Sequence, residues 1–409
     1  MVFIQIIVRR AVLLLSAIKK SPVVKFVYKF LFQVVSLLPA KKNLIIFESF
    51  LGKQYSDNPR AIYEYLKKHH HEYEMVWSAD PRFEKGFLEN GVPYVKRFSV
   101  KWLFLMARAR FWVTNSRMPL WIPKPKHTIY LQTWHGTPLK KLVFDMKEVL
   151  MPGTTTEAYK EHFYQESRNW DYLISPNRYS TEIFKRAFKF EKEVIESGYP
   201  RNDIFYKPER IDIARKFKET HQLPMDKKVI LYAPTWRDNQ YYQIGKYKLD
   251  LHLDLGKLKK ELGDEYIIIL RMHYLVAENF NLDSYKGFAY NFSRHEDIQE
   301  LYLISDVLIT DYSSVFFDYA NLKRPMIFFA YDIDEYKEDI RGFYFDFEKN
   351  APGPIVKTTD EVIEVIKKLS EPNQFTSKLN EFYQQFCYLE DGHAASRVVK
   401  EVILANRKV

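Results

Sequence analysis

The sequence predicts an α/β protein with two doubly wound parallel sheets, and three observations lead to this expectation. Short, continuous apolar runs alternate with amphipathic stretches from residue 42 onward. Runs of this kind suit strands that are buried on both faces, as in parallel sheets covered by helices. A charged helical segment at Lys207–Lys227 separates two strand–helix series, and 409 residues of 46% hydrophobic content can bury two cores. We therefore expect two such domains facing each other across a cleft.

The first 38 residues are apolar but interrupted by charge. Neither Met1–Val8 nor Ala11–Ile18 approaches the roughly 20 uninterrupted residues that a membrane-spanning helix needs. A signal peptide is the alternative, but its charge would precede the apolar run and a small-residue cleavage site would follow. The sequence has neither feature, so we expect these residues to stay with the chain.

A helix is predicted after Ser21, because a serine N-cap is followed by Pro22 at the first helical position, and Pro39 lies just past its far end. A narrow polar stripe runs along this otherwise apolar helix, at Lys25, Lys29 and Gln33. Such a helix suits the surface of an anionic membrane, with its bases toward the headgroups. The alternative is a helix packed on the protein's own core. We interpret residues 1–41 as basic amphipathic helices that bind a membrane surface through residues 1–38.

The basic charge belongs to this end of the chain. The net charge is +10, yet the first 42 residues contain eight Lys or Arg and no Asp or Glu. The rest is close to neutral, so the sequence lacks the basic folded face expected of a nucleic-acid-binding protein. A single cysteine, Cys387, excludes a disulfide framework and a cysteine-based zinc site.

Nine apolar runs are predicted as buried strands, and in a doubly wound sheet ligands bind beyond their carboxyl ends. The runs are Asn43–Glu48, Glu74–Ser78, Phe111–Asn115, Thr128–Trp134, Tyr172–Ser175, Val229–Tyr232, Tyr266–Leu270, Val307–Thr310 and Met326–Phe329. Polar clusters follow four of them, at residues 132–138, 233–237, 271–273 and 310–314. This shared position predicts one functional site.

Two histidines in these clusters are candidates for acid–base chemistry. His135 precedes Gly136, which permits close approach of a substrate, and a histidine can remove a proton from an attacking hydroxyl near neutral pH. A single histidine is more often half-buried and bonded to a carbonyl, but His273 lies at the strand ends of the other domain. The two together predict a catalytic pair.

A phosphate site is predicted where Ser313 and Ser314 open a helix, with Arg271 as a charge-assisted partner. The alternative is that the serines are ordinary helix caps. Glycine-rich nucleotide motifs, the His-Glu-x-x-His zinc motif and the Gly-x-Ser-x-Gly esterase motif are absent from the sequence. No convincing cluster of metal ligands is present either, so we expect no bound cofactor, although Mg²⁺ can accompany a diphosphate.

Five blocks together resemble the CDP-glycerol glycerophosphotransferases, the peripheral-membrane enzymes of wall teichoic acid synthesis. They are Gln132–Lys140, Ala233–Arg237, Arg271–His273, Thr310–Ser314 and Arg341–Phe347. The segments Phe47–Pro59 and Glu390–Arg397 also resemble that family. The similarity spans roughly residues 42–400, and the His-Gly-Thr-Pro-Leu-Lys block is specific to the family.

The resemblance implies a GT-B-like fold of two Rossmann-like domains. Residues 42–206 would form the acceptor-side domain with the general base, and residues 207–385 the CDP-glycerol-binding domain. Residues 386–409 would return to the first domain as a helix. The implied reaction transfers sn-glycerol 3-phosphate from CDP-glycerol to a hydroxyl of an undecaprenyl-diphosphate-linked acceptor and releases CMP, at the cytoplasmic face of a bacterial cell membrane.

The resemblance also implies roles for individual residues. The family's general base matches His135, and its second essential histidine matches His273. The positions that match substrate-binding residues are Trp134, Gly136, Thr137, Pro138, Arg201, Pro234, Thr235, Arg271, Met272, Asp311, Ser313, Ser314 and Asp318.

Two other enzymatic functions stay open. Ribitol-type relatives and many priming enzymes carry Trp-His-Ala in place of Trp-His-Gly-Thr-Pro. Gly136 and Thr137 therefore favour the glycerol polymerase-like branch, and a transferase that uses CDP-ribitol is the first alternative. A GT-B glycosyltransferase that uses a nucleotide sugar is the other enzyme alternative, and a membrane scaffold with a vestigial nucleotide site is the non-enzymatic one. Long polymerases of the family carry a further domain before the catalytic one, whereas this sequence begins with a short basic helix. Addition of one or a few units, or a separate polymer pathway, is therefore an alternative to processive polymerisation.

Overall fold

The computed structural model describes residues 21–149, 153–235, 241–243, 246–247, 251–272, 281–333, 342–369 and 375–407. In these residues two parallel sheets are each flanked by helices, which confirms the α/β class and the two doubly wound sheets. The boundaries predicted for the N-terminal helices, the two domains and the C-terminal helix, at residues 41/42, 206/207 and 385/386, stay predictions.

The N-terminal sheet has seven parallel strands in the order β3-β2-β1-β4-β5-β6-β7. Its strands are β1 (Lys41–Glu48), β2 (Glu74–Ala79), β3 (Tyr94–Lys96), β4 (Ala109–Thr114), β5 (Ile129–Gln132), β6 (Tyr172–Ser175) and β7 (Glu193–Glu196). The order reverses between β1 and β4, and this reversal opens a crevice at the carboxyl ends of these two strands.

The C-terminal sheet has six parallel strands in the order β12-β11-β8-β13-β14-β15. Its strands are β8 (Lys228–Tyr232), β11 (Tyr266–Leu270), β12 (Ala289–Asn291), β13 (Val307–Thr310), β14 (Met326–Phe329) and β15 (Ile355–Val356). A separate antiparallel pair is formed by β9 (Tyr241–Gln243) and β10 (Lys246–Tyr247). Here the order reverses between β8 and β13, so each sheet offers one crevice.

Helices cover both sheets. They are α1 (Pro22–Val35), α2 (Asp57–His69), α3 (Glu84–Glu89), α4 (Val100–Arg108), α5 (Thr156–Ser167), α6 (Arg178–Ala187), α7 (Arg210–Thr220), α8 (Leu255–Leu262), α9 (Ile298–Ile304), α10 (Val315–Tyr319), α11 (Phe347–Asn350), α12 (Thr359–Lys367), α13 (Phe375–Phe386) and α14 (Ala394–Val398). The last helix continues as a π-helical turn over Val399–Leu404. Its buried Val398 and Val402 join the core that contains Ile45 and Tyr63 of the N-terminal domain.

Helix α1 begins at Pro22, as the sequence predicts, and has two different apolar faces. Phe32 and Val35 are buried in the N-terminal domain, where the Phe32 ring lies 6.5 Å from the rings of Trp102 and Trp112. The opposite face is exposed at Val23, Phe26, Val27, Phe30, Leu31 and Val34. Within the described ranges, no helix combines the length and apolarity needed to cross a bilayer. The predicted helical segment before Ser21 lies outside the described residues.

Candidate active site

A cavity of about 450 Å³ lies between the two sheets, at the carboxyl ends of their strands. The N-terminal domain contributes the loop after β5, and the C-terminal domain contributes the loops after β8, β11 and β13. Eleven predicted site residues line it: Trp134, His135, Gly136, Thr137, Pro138, Pro234, Thr235, Arg271, Met272, Ser313 and Ser314. The structure therefore brings most of the predicted clusters into one cavity.

The orientation of His135 leaves one ring nitrogen available as a base. Its Nδ1 lies 2.8 Å from the carbonyl oxygen of Asn115, at the end of β4. Because a carbonyl only accepts hydrogen bonds, Nδ1 carries the proton and Nε2 keeps its lone pair. The ring of Trp134 stacks on the imidazole at 4.6 Å, and the ring of Phe50 contacts it edge-on at 5.9 Å.

The surroundings of His135 favour the neutral imidazole. His135 is exposed to solvent through the cavity. The surrounding protein still desolvates the imidazole, which lowers its pKa below the ordinary value. The Asp57 carboxylate and the Asn115 carbonyl act in the opposite direction, whereas the Arg201 guanidinium adds to the lowering. A neutral histidine at neutral pH can accept a proton, as a general base must.

The backbone around His135 is strained. Positive φ angles occur at Phe50 (47°), Leu51 (63°), Asp57 (65°) and Trp134 (51°), and none of these is glycine. Each such residue costs of order 1–3 kcal/mol and persists only where its surroundings hold it. Strain of this kind collects at functional sites, and here Phe50 and Trp134 both contact the His135 ring.

On the donor side, Arg271 is held by the backbone. Its Nη1 donates to the carbonyls of Phe292 and Ser293 at 3.1 and 2.6 Å, and the backbone N–H of Met272 donates to Ser293 Oγ at 2.9 Å. Burial lowers the pKa of Arg271 from its ordinary value, but a guanidinium stays charged at physiological pH. The arrangement presents a fixed cation to the cavity.

Ser313 and Ser314 precede α10, as the sequence predicts, and α10 is a short helix. It has five residues before it tightens into the 3-10 turn Ala320–Leu322. So short a helix has little macrodipole, so the predicted phosphate site would use the hydroxyls and nearby N–H groups instead. The Ser314 side chain does not cap the helix. It lies against Gly136 of the other domain, where an added Cβ would come within 3.1 Å of Ser314 Oγ.

Three predicted binding residues lie behind the cavity lining. Asp311 is buried and its Oδ1 accepts from the backbone N–H of Thr235 at 2.7 Å, so it orients a residue that does line the cavity. Arg201 and Asp318 form a buried ion pair at 2.8 Å. Direct substrate contact by these three stays a prediction.

His273 lies outside the described residues, as do Trp236 and Arg237 of the second cluster. The predicted role of His273 as the second essential histidine therefore stays a prediction. Among the residues that the structure describes, no group of three or more His, Cys, Asp or Glu side chains is arranged to hold a metal ion.

The sequence interpretation missed the residues that support His135, namely Asn115, Asp57 and Asn58. Asn58 Nδ2 donates to the carbonyls of Thr133 and Trp134 at 3.2 and 3.3 Å, which clamps the loop before the histidine. Asp57 and Asn58 belong to the segment that resembles the family, but their pattern reads as an ordinary helix start. Indeed α2 begins at Asp57.

Comparison with known proteins identifies the family. The model of the family described as CDP-Glycerol:Poly(glycerophosphate) glycerophosphotransferase matches residues 30–404. A teichoic acid poly(glycerol phosphate) polymerase of Bacillus subtilis is 60% identical over 96% of this chain, which spans 53% of that polymerase. The chain is thus about half as long as this relative. A teichoic acid glycerol-phosphate transferase of Staphylococcus aureus is 48% identical over 91% of the chain and 95% of its own length.

The solved structure of the wall teichoic acid polymerase TagF, as a histidine-to-asparagine variant with CDPG, superimposes with a TM-score of 0.87. The two are 44% identical, and the match covers 94% of each chain. This similarity confirms the predicted GT-B-like arrangement. Because the family model covers nearly the whole chain and close relatives agree with it, the chain belongs to the CDP-glycerol:poly(glycerophosphate) glycerophosphotransferases, transferases of teichoic acid synthesis.

Proposed function

We propose that this protein transfers sn-glycerol 3-phosphate from CDP-glycerol to a hydroxyl of an undecaprenyl-diphosphate-linked teichoic acid acceptor and releases CMP. One observation carries the proposal. A histidine with a basic Nε2 shares a cavity with a fixed arginine and two serine hydroxyls of the opposite domain. The histidine can take the proton of a hydroxyl acceptor, and the arginine and the serine hydroxyls can bind the phosphates of the donor.

In the proposed reaction, His135 Nε2 takes the proton of the acceptor hydroxyl, and the oxygen attacks the β-phosphorus of CDP-glycerol. The new P–O bond forms as the bond to CMP breaks, and CMP leaves with the electron pair. Arg271, Ser313 and Ser314 stabilise the charge on the phosphate oxygens. His273 is proposed to assist at the diphosphate.

Mass analysis of the product from CDP-glycerol and a short lipid-linked acceptor tests the proposal, because donor, acceptor and number of units all appear in one spectrum. We expect CMP and an acceptor extended by glycerophosphate, with no reaction in His135→Ala although CDP-glycerol still binds. Parallel incubations with CDP-ribitol and UDP-sugars test the alternative donors. Extension from either of these, or near-normal turnover in His135→Ala, would contradict the proposal.

We further propose that the protein works as a peripheral protein on the cytoplasmic face of the membrane, held there by residues 1–38. The support comes from α1, whose outer face exposes large apolar side chains beside Lys25 and Lys29. Side chains of this kind can enter the boundary between headgroups and acyl chains. A lipid-linked acceptor would then lie close to the cavity.

The proposed reaction uses no metal bound by the protein, and Mg²⁺ would enter only with the diphosphate of the donor. Turnover measured in EDTA and again with added Mg²⁺ tests this point. Metal that stays with the protein in stoichiometric amount after dialysis in the absence of CDP-glycerol would indicate a protein-bound metal.

A further inference from the structure

A buried hydrogen-bond network links the loop that carries His135 to the C-terminal domain. At its centre is Arg201, in the 3-10 turn Pro200–Tyr206, with a side chain only 7% exposed. Its Nη1 donates to Asp57 Oδ1 and to the backbone carbonyl of His135, both at 2.9 Å. Its Nη2 donates to Asp318 Oδ2 at 2.8 Å. One guanidinium therefore joins three groups that are far apart in the chain.

The part of this network in the N-terminal domain reaches both sides of the base. Asp57 Oδ2 accepts from Asn115 Nδ2 at 2.7 Å, and Asn115 supplies the carbonyl that fixes His135 Nδ1. Asn58 accepts from the backbone N–H of Arg201 at 3.2 Å and donates to the carbonyls of the two residues before His135. The imidazole, its carbonyl partner and its loop are thus all connected to Arg201.

The part in the C-terminal domain reaches the donor side of the cavity. Asp318 lies in α10, the helix that begins directly after Ser314. Besides Arg201, it accepts from Asn202 Nδ2 at 3.0 Å. Because α10 has only five residues, fixing Asp318 also fixes the serines at its start.

We infer that Arg201 is a positioning residue, which aligns the base His135 through Asp57 and couples that alignment to the donor domain through Asp318. The inference rests on the proposed function, since it states how the base of that reaction is held. When the two domains hold the relation seen here, the imidazole and the serines are fixed by the same guanidinium. A shift of either domain would break the coupling and misalign the base.

This role differs from the direct nucleotide contact that the family resemblance implies for Arg201. Arg201 is not among the residues that line the cavity between the sheets, and both of its Nη atoms already serve protein acceptors. A positioning role predicts a loss in kcat, whereas a nucleotide contact predicts a rise in KM for CDP-glycerol.

The first experiment compares Arg201→Lys with the matched control Arg60→Lys in steady-state transfer assays of the full chain. A single ammonium cannot reproduce the planar fork that bridges three acceptors. We expect kcat to fall about 10- to 100-fold in Arg201→Lys, with KM for CDP-glycerol close to that of the unchanged protein. Arg60 also forms salt bridges across the domain interface, to Asp297 and Glu300, but none of its described hydrogen bonds reaches the loop that carries His135. Its variant should keep a kcat near that of the unchanged protein.

The second experiment uses the pH profile of kcat/KM, which a merely structural role would not move. The charged groups that act on His135 are the Asp57 carboxylate, which raises its pKa, and the Arg201 guanidinium, which lowers it. The other contacts described for the ring are uncharged: Phe50, Trp134 and the Asn115 carbonyl. We therefore expect the acid limb to move to lower pH in Asp57→Asn and to higher pH in Arg201→Gln.

Four results would overturn the inference: unchanged kcat in Arg201→Lys, a rise in KM alone, an equal loss in Arg60→Lys, or acid limbs that fail to move in opposite directions. Removing the charge of Arg201 leaves two buried carboxylates unpaired and can unfold the protein. If circular dichroism shows that Arg201→Gln is unfolded, two other results test the inference. They are the effects of Arg201→Lys on kcat and on KM, and the direction in which Asp57→Asn moves the acid limb of kcat/KM. Failure of transfer in the unchanged protein would instead contradict the proposed function.

Discussion

At the scale of single residues, the site is defined by how its neighbours restrict His135. The Asn115 carbonyl selects the tautomer, two aromatic rings confine the imidazole, and desolvation keeps it neutral. Of these influences, only the ring of Trp134 belongs to the sequence next to His135, and nothing in that sequence shows that the two rings stack. The chemistry of the residue therefore depends on contacts made by distant parts of the chain.

The lowered pKa of His135 predicts the pH dependence of transfer. A general base must be neutral, so activity is lost as the pH falls through its pKa. Because this pKa is lowered, the acid limb of kcat/KM should lie below about 6.5, the ordinary value for histidine. Initial rates of CMP release from pH 4.5 to 8.5 measure it, with an acid-stable coupling assay as a control. An acid limb above 6.5 would contradict this account of the base.

Gly136 predicts a steric coupling between the domains. An added Cβ would lie 3.1 Å from Ser314 Oγ but 3.7 Å from Ser314 Cβ, so only the hydroxyl is too close. Gly136→Ala should therefore push α10 away from the base and lower kcat by about tenfold, in line with the cost of small misplacements. The additional loss caused by Gly136→Ala should be smaller when Ser314→Ala is already present.

The double-mutant cycle over these two positions measures the coupling directly. Ser314→Ala alone provides the reference, since it removes the hydroxyl without adding bulk. Strictly additive losses would show that the contact does not constrain the cleft.

At the scale of elements, the two apolar faces of α1 have different surroundings, which the composition of the helix alone does not show. Phe32 and Val35 attach it to the N-terminal domain, while the exposed fractions of Phe26 and Phe30 are 70% and 56%. Packing on the protein's own core thus applies to the face with Phe32 and Val35, and the membrane-surface interpretation stays a prediction for the exposed face.

Replacing one exposed residue of α1 tests its role at a membrane. Phe26→Glu should weaken binding to vesicles that contain anionic lipid, because it places a charge in the apolar face, without lowering the melting temperature. Ile211→Glu is the matched control, since Ile211 is 71% exposed on α7 of the other domain. Co-sedimentation with vesicles measures both. Equal binding of the two variants would exclude α1 as the contact.

The elements that could be predicted are the ones whose whole environment is apolar. All nine strands expected from apolar runs are present within about two residues of their predicted ends. The strands β3 and β7 were not predicted. Each lies at an edge of the sheet and pairs with a neighbouring strand on one side only. Their residues, Tyr94–Lys96 and Glu193–Glu196, therefore form no long apolar run. The cavity lining was predictable because it follows the central strands. The residues that support His135 were not predictable, because Asp57 and Arg201 are 144 residues apart in the chain.

At the scale of the whole molecule, the two domains meet around an excess of buried acid. Asp57, Asp318 and Glu390 surround Arg201 and Asn202, and Glu390 Oε1 accepts from the N–H of Tyr199 at 3.0 Å and from Asn202 at 3.1 Å. Asp203 accepts hydrogen bonds from the first backbone N–H groups of α14. The C-terminal segment is therefore bound to the same cluster of buried acidic residues. The protonation state of these acidic residues therefore affects the contacts between the two domains and the C-terminal segment.

The raised pKa of Glu390 predicts that stability falls with rising pH. Burial, followed by repulsion from Asp203 and Asp318, raises this pKa to about 8. The folded protein then binds this proton more tightly than the unfolded chain, whose glutamate has a pKa of about 4.3. The stabilisation is complete below that value and is lost as the pH rises through about 8. Glu390→Gln keeps a neutral side chain at every pH, so its melting temperature should exceed that of the unchanged protein at pH 9.

Melting temperatures from pH 5 to 9 measure this effect, and Glu401→Gln, at an exposed carboxylate of the same C-terminal segment, is the control. The control should follow the unchanged protein at every pH, because its side chain meets water in both states. At pH 5 the amide of Glu390→Gln replaces an acid that is still protonated in the folded state, so the two curves should lie close together there. They should separate progressively as the pH rises towards about 8 and run parallel above it. Curves that stay parallel over the whole range would mean that Glu390 is ionised in the folded state, and that Asn202 and the Tyr199 N–H stabilise its charge sufficiently.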